Sequence, residues 1–126
     1  MLLSYSYRKA FVTSGNGGRI TVGIADTWIK RFKGFKKKGL SNDLDGLLIY
    51  PCSSIHTVGM KFTIDVYFLD ENFRLMRSYF GVGPRRFIFV PGAKYVLELK
   101  SHGFDSPFAT IGEYLIFECS RFWDVY

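Results

Sequence analysis

Phe62-Thr63-Ile64-Asp65-Val66-Tyr67-Phe68-Leu69-Asp70-Glu71-Asn72-Phe73-Arg74-Leu75-Met76-Arg77-Ser78-Tyr79-Phe80 is the stretch that decides the fold. Phe62, Ile64, Val66 and Phe68 alternate with Thr63, Asp65 and Tyr67, the period-two pattern of a strand with one face turned inward. Asp70-Glu71-Asn72 supplies turn residues, and Phe73 to about Phe80 reads as the returning strand. A hairpin at the centre of the chain predicts a mainly β protein.

Toward the N-terminus the same logic continues. Leu47-Leu48-Ile49-Tyr50 is a buried-strand type of run, entered through the turn signal Asp45-Gly46 and ended by Pro51. Ser14-Gly15-Asn16-Gly17-Gly18 supplies the positive φ angles of a tight hairpin, between a strand at Arg8 to Thr13 and Arg19 to Ile24, where Ile20, Val22 and Ile24 share a face. One helix is predicted near residues 26–35. Asp26 stands as its N-cap, Trp28, Ile29, Phe32 and Phe35 follow at helical spacing, and Gly34 and Gly39 limit it.

Toward the C-terminus, Gly81-Val82-Gly83-Pro84 breaks the returning strand and Phe87 to Val90 resumes extended structure. Pro91-Gly92 then turns the chain into Tyr95-Val96-Leu97-Glu98-Leu99, which reads as a strand in preference to a short helix, and Gly112 to Cys119 is the last strand. Short strands at near-regular spacing predict an antiparallel β-barrel or sandwich with one short helix. A chain of 126 residues with 48% hydrophobic and 18% aromatic content is one domain, spanning residues 1–126, able to bury its own core. No repeat or low-complexity linker divides it.

The net charge of +6 arises from 17 basic and 11 acidic residues. Six of the basic ones, Lys30, Arg31, Lys33, Lys36, Lys37 and Lys38, fall in one segment, and the rest balance the acids. A solvated helix end outweighs a nucleic-acid surface there, because Phe32 and Phe35 belong to the core-facing side and one charged segment is little for such a surface. No basic start precedes an apolar run at the N-terminus, and no stretch approaches the roughly 18 apolar residues of a membrane span. The expectation is a soluble, cytoplasmic protein. Its two cysteines, Cys52 and Cys119, are expected to be reduced thiols.

Candidate chemistry concentrates between Pro51 and Asp70. Cys52 and His56 form a Cys-x3-His pair, but Asp65, His102 and Cys119 would have to complete a zinc site from afar. A buried thiol and a hydrogen-bonded loop histidine outweigh it. The expectation is no metal and no cofactor. A Cys-His nucleophile pair is open on residue type alone, without a nucleophile signature around Cys52. Asp65 interrupts an apolar strand and needs partners, for which Lys61, His56 or the amides of the Cys52 to Met60 loop are the expected neighbours. Arg85 and Arg86, after Gly81-Val82-Gly83-Pro84, can grip a carboxylate or phosphate, although no phosphate-loop motif surrounds them.

Pro51-Cys52, Ile55-His56-Thr57, Met60, Ile64-Asp65-Val66 and Phe68-Leu69-Asp70 resemble the signature of the domain of unknown function 192 family. Ala25, Thr27, Arg31 and Gly34 are similar to its opening helix, Gly46-Leu47-Leu48 to its next strand, and Val96 to Leu99 to a later segment. Phe35, Lys61 and Thr63 depart from its commoner Leu, Arg and Pro. The resemblance covers about Arg19 to Phe117 and implies a compact, mainly β single domain without an established reaction.

The leading functional expectation is a non-enzymatic domain that binds a small ligand or protein partner through residues 52–61, with Asp65 orienting that loop. Its candidate residues are Cys52, His56, Thr57, Met60, Lys61, Asp65, Arg85 and Arg86. A second reading is a hydrolase-like or metal-dependent enzyme using Cys52, His56 and Asp65. A third is binding of nucleic acid or an acidic partner through residues 30–38.

Overall fold

The computed structural model describes residues 8–25, 44–60, 62–101 and 107–119. Nine strands are present among them: β1 Arg8–Thr13, β2 Arg19–Ala25, β3 Gly46–Ile49, β4 Ser54–His56, β5 Ile64–Leu69, β6 Leu75–Val82, β7 Phe87–Phe89, β8 Tyr95–Lys100 and β9 Ile116–Cys119. The predicted helix and the basic segment 30–38 lie outside the described residues, which contain no helix.

Seven strands form one sheet in the order β6-β5-β8-β3-β2-β1-β9, and β4 and β7 form a separate two-stranded ribbon. The large sheet is open, with β6 and β9 at its edges, so the barrel alternative is corrected to a layered, sandwich-like arrangement. It is also mixed rather than wholly antiparallel, because β2 and β3 run parallel, Val22 opposite Gly46 and Ala25 opposite Ile49. Parallel neighbours cannot be joined by a tight turn, and β2 ends at Ala25 while β3 begins at Gly46.

The alternation in β5 is correct, but its second face is not open to solvent. Ile64, Val66 and Phe68 pack with Leu47, Ile49, Val96 and the ribbon residues Ile55 and Ile88. Tyr67 and Leu69 pack on the opposite side with Leu48, Leu97, Leu99, Leu75, Ala109 and Leu115. Both faces of the sheet are therefore covered, one by the ribbon and the other by residues 108–115. This is why β3 is buried at every position and reads as a continuous apolar run rather than an alternating one. Cys52 packs on the ribbon side and Cys119 on the opposite side, both as free thiols.

The β5–β6 turn is built from its own sequence. Asp70 Oδ1 accepts hydrogen bonds from the Asn72 amide at 2.8 Å and the Arg74 amide at 3.0 Å. This closes the turn around Phe73, which adopts φ 66°, a left-handed conformation that suits glycine. The phenylalanine is kept there by edge-on contacts to Tyr95 at 4.5 Å and Phe117 at 5.1 Å. Phe73→Ala should therefore cost about 2–3 kcal/mol in urea unfolding, since the contacts go and the strain stays. Phe73→Gly should cost about 1 kcal/mol less than Phe73→Ala, reversing the usual order of the two residues.

Residues 110–115 clamp the start of β6. The Leu75 amide donates to the Glu113 carbonyl at 2.9 Å, and the Gly112 amide to the Leu75 carbonyl at 2.8 Å. Glu113 also accepts from the Thr110 amide and, across the sheet end, from the Gly15 amide at 2.6 Å. These two amides hold its carboxyl below the usual carboxylate range.

Candidate functional site

Five of the predicted site residues, Cys52, His56, Thr57, Arg85 and Arg86, sit in the ribbon or at its ends. In it Ser54 lies opposite Phe89, Ile55 opposite Ile88 and His56 opposite Phe87. Since successive side chains point to opposite faces, the Ile55–Ile88 pair is directed into the core and the flanking pairs are directed outward. Ile55 and Ile88 are buried, whereas Phe87 is 70% and Phe89 57% exposed. The register thus presents two aromatic rings to solvent, with His56 and Ser54 beside them. Val58, also exposed, continues this surface at the end of β4.

Thr57 is the residue that fixes this surface. It is 0% exposed. Its hydroxyl donates to the Gly83 carbonyl at 2.7 Å and accepts from the Arg86 amide at 2.8 Å. Its own amide donates to the Arg86 carbonyl at 2.9 Å, and its carbonyl accepts from the Met60 amide at 3.1 Å. One threonine therefore joins the turn after β4 to the turn before β7. Gly59, with φ 86°, and Arg85, with φ 62°, take left-handed conformations in those two turns. Arg85 and Arg86 are exposed as a result of this geometry, directly before Phe87.

Cys52 closes the other end of the ribbon. Its amide donates to the Lys94 carbonyl at 2.9 Å, and its thiol donates to the Ser54 carbonyl at 3.0 Å. The thiol is committed to backbone at the entry to β4, while His56 stands on the outer face at the far end of the same extended strand. Asp65 is elsewhere. Flanked in β5 by Ile64 and Val66, which face the ribbon side, it points to the other side of the sheet. There its Oδ1 accepts from the Gly81 amide at 2.9 Å and from the Ser101 hydroxyl.

The expectation that Asp65 orients the Cys52 to Met60 loop is accordingly corrected: its described partners tie β5 to its neighbours β6 and β8. The three residues of the enzyme reading are distributed over both sides of the sheet, and no group of three His, Cys, Asp or Glu able to hold a metal occurs among the described residues. Met60 is buried in the ribbon-side core rather than offered to a ligand. Lys61 lies outside the described residues. The residues brought to one surface are His56, Arg85 and Arg86, joined by Val58, Phe87 and Phe89, which the sequence reading had treated only as strand or loop.

On the other side of the sheet, Tyr67 is 1% exposed, and its hydroxyl accepts from the Phe108 amide at 3.0 Å. Burial, with a smaller contribution from the Asp65 carboxylate, pushes its phenol above the ordinary value of about 10, although the Phe108 amide opposes this. The group is sealed between Phe80 and Phe108, edge-on to both rings, and is structural. The folded protein retains the phenolic proton at pH values where the unfolded chain has lost it. This contribution to stability is fully present below about pH 10 and is lost as pH rises through the folded value. Urea midpoints measured across pH 9 to 12 should fall, and Tyr67→Phe should flatten that decline.

The chain matches the family model DUF192, described as "Uncharacterized ACR", over residues 10–116. No curated protein matches it. Among solved structures, a Sinorhizobium meliloti protein described as a "putative transcription regulator" is similar with TM-score 0.73 and 17% identity, over 93% of this chain and 98% of that one. A Novosphingobium aromaticivorans protein of unknown function is similar with TM-score 0.65 and 18% identity, over 86% and 83% of the two chains. A hypothetical Synechocystis protein matches 89% of this chain with TM-score 0.59 and 15% identity, and the match spans 19% of its own length. At these identities the likeness is one of fold.

Proposed function

The chain belongs to the DUF192 family, and from that premise we propose that it is a binding domain whose ligand or partner docks on the outer face of the β4–β7 ribbon. The observation that carries this reading is the exposure of Phe87 and Phe89 side by side on a ribbon whose turns are locked by Thr57. Burying a phenylalanine side chain stabilises a protein by about 1.5–3 kcal/mol. Two of them held outward on a rigid support represent binding energy reserved for a second molecule. His56, Arg85 and Arg86 surround the rings with groups that can orient a polar or anionic ligand.

This revises the loop-centred expectation. The binding surface is the strand face and its cationic turn, with Cys52, Thr57 and Met60 as its support. A catalytic role for Cys52, His56 and Asp65 is not favoured, because general acid-base or nucleophilic work needs them within hydrogen-bond reach of one another or of one substrate. A small-molecule fragment panel screened by NMR tests the reading. Hits should perturb the amides of residues 54–58 and 85–89 and should weaken in Phe87→Ser. Hits confined to other surfaces would refute it.

A further inference from the structure

We propose that the outer face of the ribbon binds single-stranded nucleic acid, with Phe87 and Phe89 stacking on unpaired bases and Arg85 and Arg86 pairing with the phosphates. The proposal rests on the reading of this face as the binding surface and names its ligand. Four observations carry it, and none of them involves the basic segment 30–38.

First, the two rings are alternate residues of one strand, about 6.6 Å apart along it. That is the arrangement of a stacking platform, on which successive splayed bases each meet one ring. Second, the surface is electrostatically one-sided. Residues 51–60 and 81–94, which contain the ribbon and both of its turns, have no Asp or Glu at all, while they contain Arg85, Arg86 and Lys94. A polyanion meets no repulsive charge from these segments.

Third, the cationic turn is positioned before any ligand arrives. Thr57 holds the Arg86 backbone through two hydrogen bonds, and Arg85 is fixed at φ 62° between them and Pro84. Guanidinium groups on such a support lose less freedom on pairing with phosphate than on a mobile tail. Fourth, the rings' cross-strand partners are His56 and Ser54, so the exposed apolar side chains of this face, Phe87, Phe89 and Val58, are interleaved with polar ones. A lipid surface would call for a continuous apolar face. An acidic peptide would supply the charge but no planar group for each ring.

The test uses the full chain and labelled oligo(dT) and oligo(U) of about 12 nucleotides, a length within the span of one small binding domain. Fluorescence anisotropy is recorded over a salt series, with a duplex of the same length alongside. Single strands should bind more tightly than the duplex. Phe87→Ala and Phe89→Ala should each weaken binding by roughly 5- to 150-fold, with the salt slope unchanged and the thermal midpoint retained. Phe87→Trp should keep affinity, and its fluorescence should be quenched on binding. The Arg85→Gln, Arg86→Gln pair should reduce the log–log salt slope by about 1.4.

No binding at low salt, equal binding of duplex and single strand, or affinity indifferent to Phe87→Ala and Phe89→Ala would each overturn the proposal. Anionic vesicles and an acidic peptide serve as competing probes. If either perturbs residues 54–58 and 85–89 in NMR spectra while the oligonucleotides do not, the nucleic-acid assignment fails and the ribbon reading stands. If fragments, vesicles and oligonucleotides all leave those residues unperturbed, both fail.

Discussion

Gly46→Ala is expected to destabilise the protein by about 3 kcal/mol or more, or to prevent its accumulation as a folded species, although it adds a single methyl group. A Cβ at this position would lie 2.2 Å from the Glu98 carbonyl oxygen and 2.5 Å from Leu99 Cδ2. Gly46 begins β3, which is hydrogen-bonded to β2 on one side and β8 on the other. The carbonyl it would strike belongs to the backbone of the central strand pair, and backbone cannot rotate aside. Relief requires β3 and β8 to separate, which strains the sheet beneath the ribbon. Gly83→Ala is the matched control. A Cβ there meets nothing within 4 Å, and its conformation needs no glycine, so a change within about 0.5 kcal/mol is expected. Urea unfolding of both variants checks the contrast.

Thr57→Val is expected to cost about 2–4 kcal/mol while preserving the shape of the side chain. The substitution removes one hydroxyl and leaves two backbone groups, the Gly83 carbonyl and the Arg86 amide, facing a methyl group. Unpaired buried polar groups cost about 1–3 kcal/mol each, so the loss exceeds what deleting an ordinary hydrogen bond implies. The structural consequence is local as well as global. Hydrogen exchange of the Arg86 and Met60 amides should accelerate beyond the global change, because the hydroxyl supplies two of the hydrogen bonds that join their two turns. Thr57→Ser keeps the hydroxyl and should retain most of that protection. Equal exchange in Thr57→Val and Thr57→Ser would show that the turns are held by other contacts.

The two glycine and threonine positions also mark what the sequence could and could not disclose. The hairpin Ile64–Leu69 with Leu75–Val82 was legible because period-two alternation and the Asp70-Glu71-Asn72 turn are local signals. The β1–β2 hairpin was legible for the same reason, through Asn16 and Gly17. Gly46, by contrast, looks like half of an Asp-Gly turn. Its real constraint is the approach of Glu98, a residue distant in sequence, and no local pattern encodes that contact. The strand β4 escaped notice because Ser54–His56 holds one inward residue, Ile55, and three residues carry no period.

The candidate site was partly legible. Polar residues at Cys52, His56, Thr57, Arg85 and Arg86 were visible by type, and all five lie in the ribbon or at its ends. Asp65 was misassigned because alternation places it opposite Ile64 and Val66, and only the second core reveals which side that is. Phe87 and Phe89 were missed for a general reason. Aromatic residues in a strand are usually core, and exposure depends on which layer covers the strand. The one signal available was the absence of acidic residues from 51–60 and 81–94, which becomes meaningful only once the fold pairs β4 with β7.

The central claim is that the outer face of the β4–β7 ribbon is the molecule's binding surface and that single-stranded nucleic acid is its ligand. The most direct measurement is an NMR titration of the full chain with oligo(dT), following backbone amides and the side-chain signals of Phe87 and Phe89. The account predicts shifts concentrated at residues 54–58 and 85–89, with ring-current changes at both phenylalanines and loss of those changes in the Phe87→Ala, Phe89→Ala double variant. Shifts centred on residues 30–38, or none at all at low salt, would contradict it.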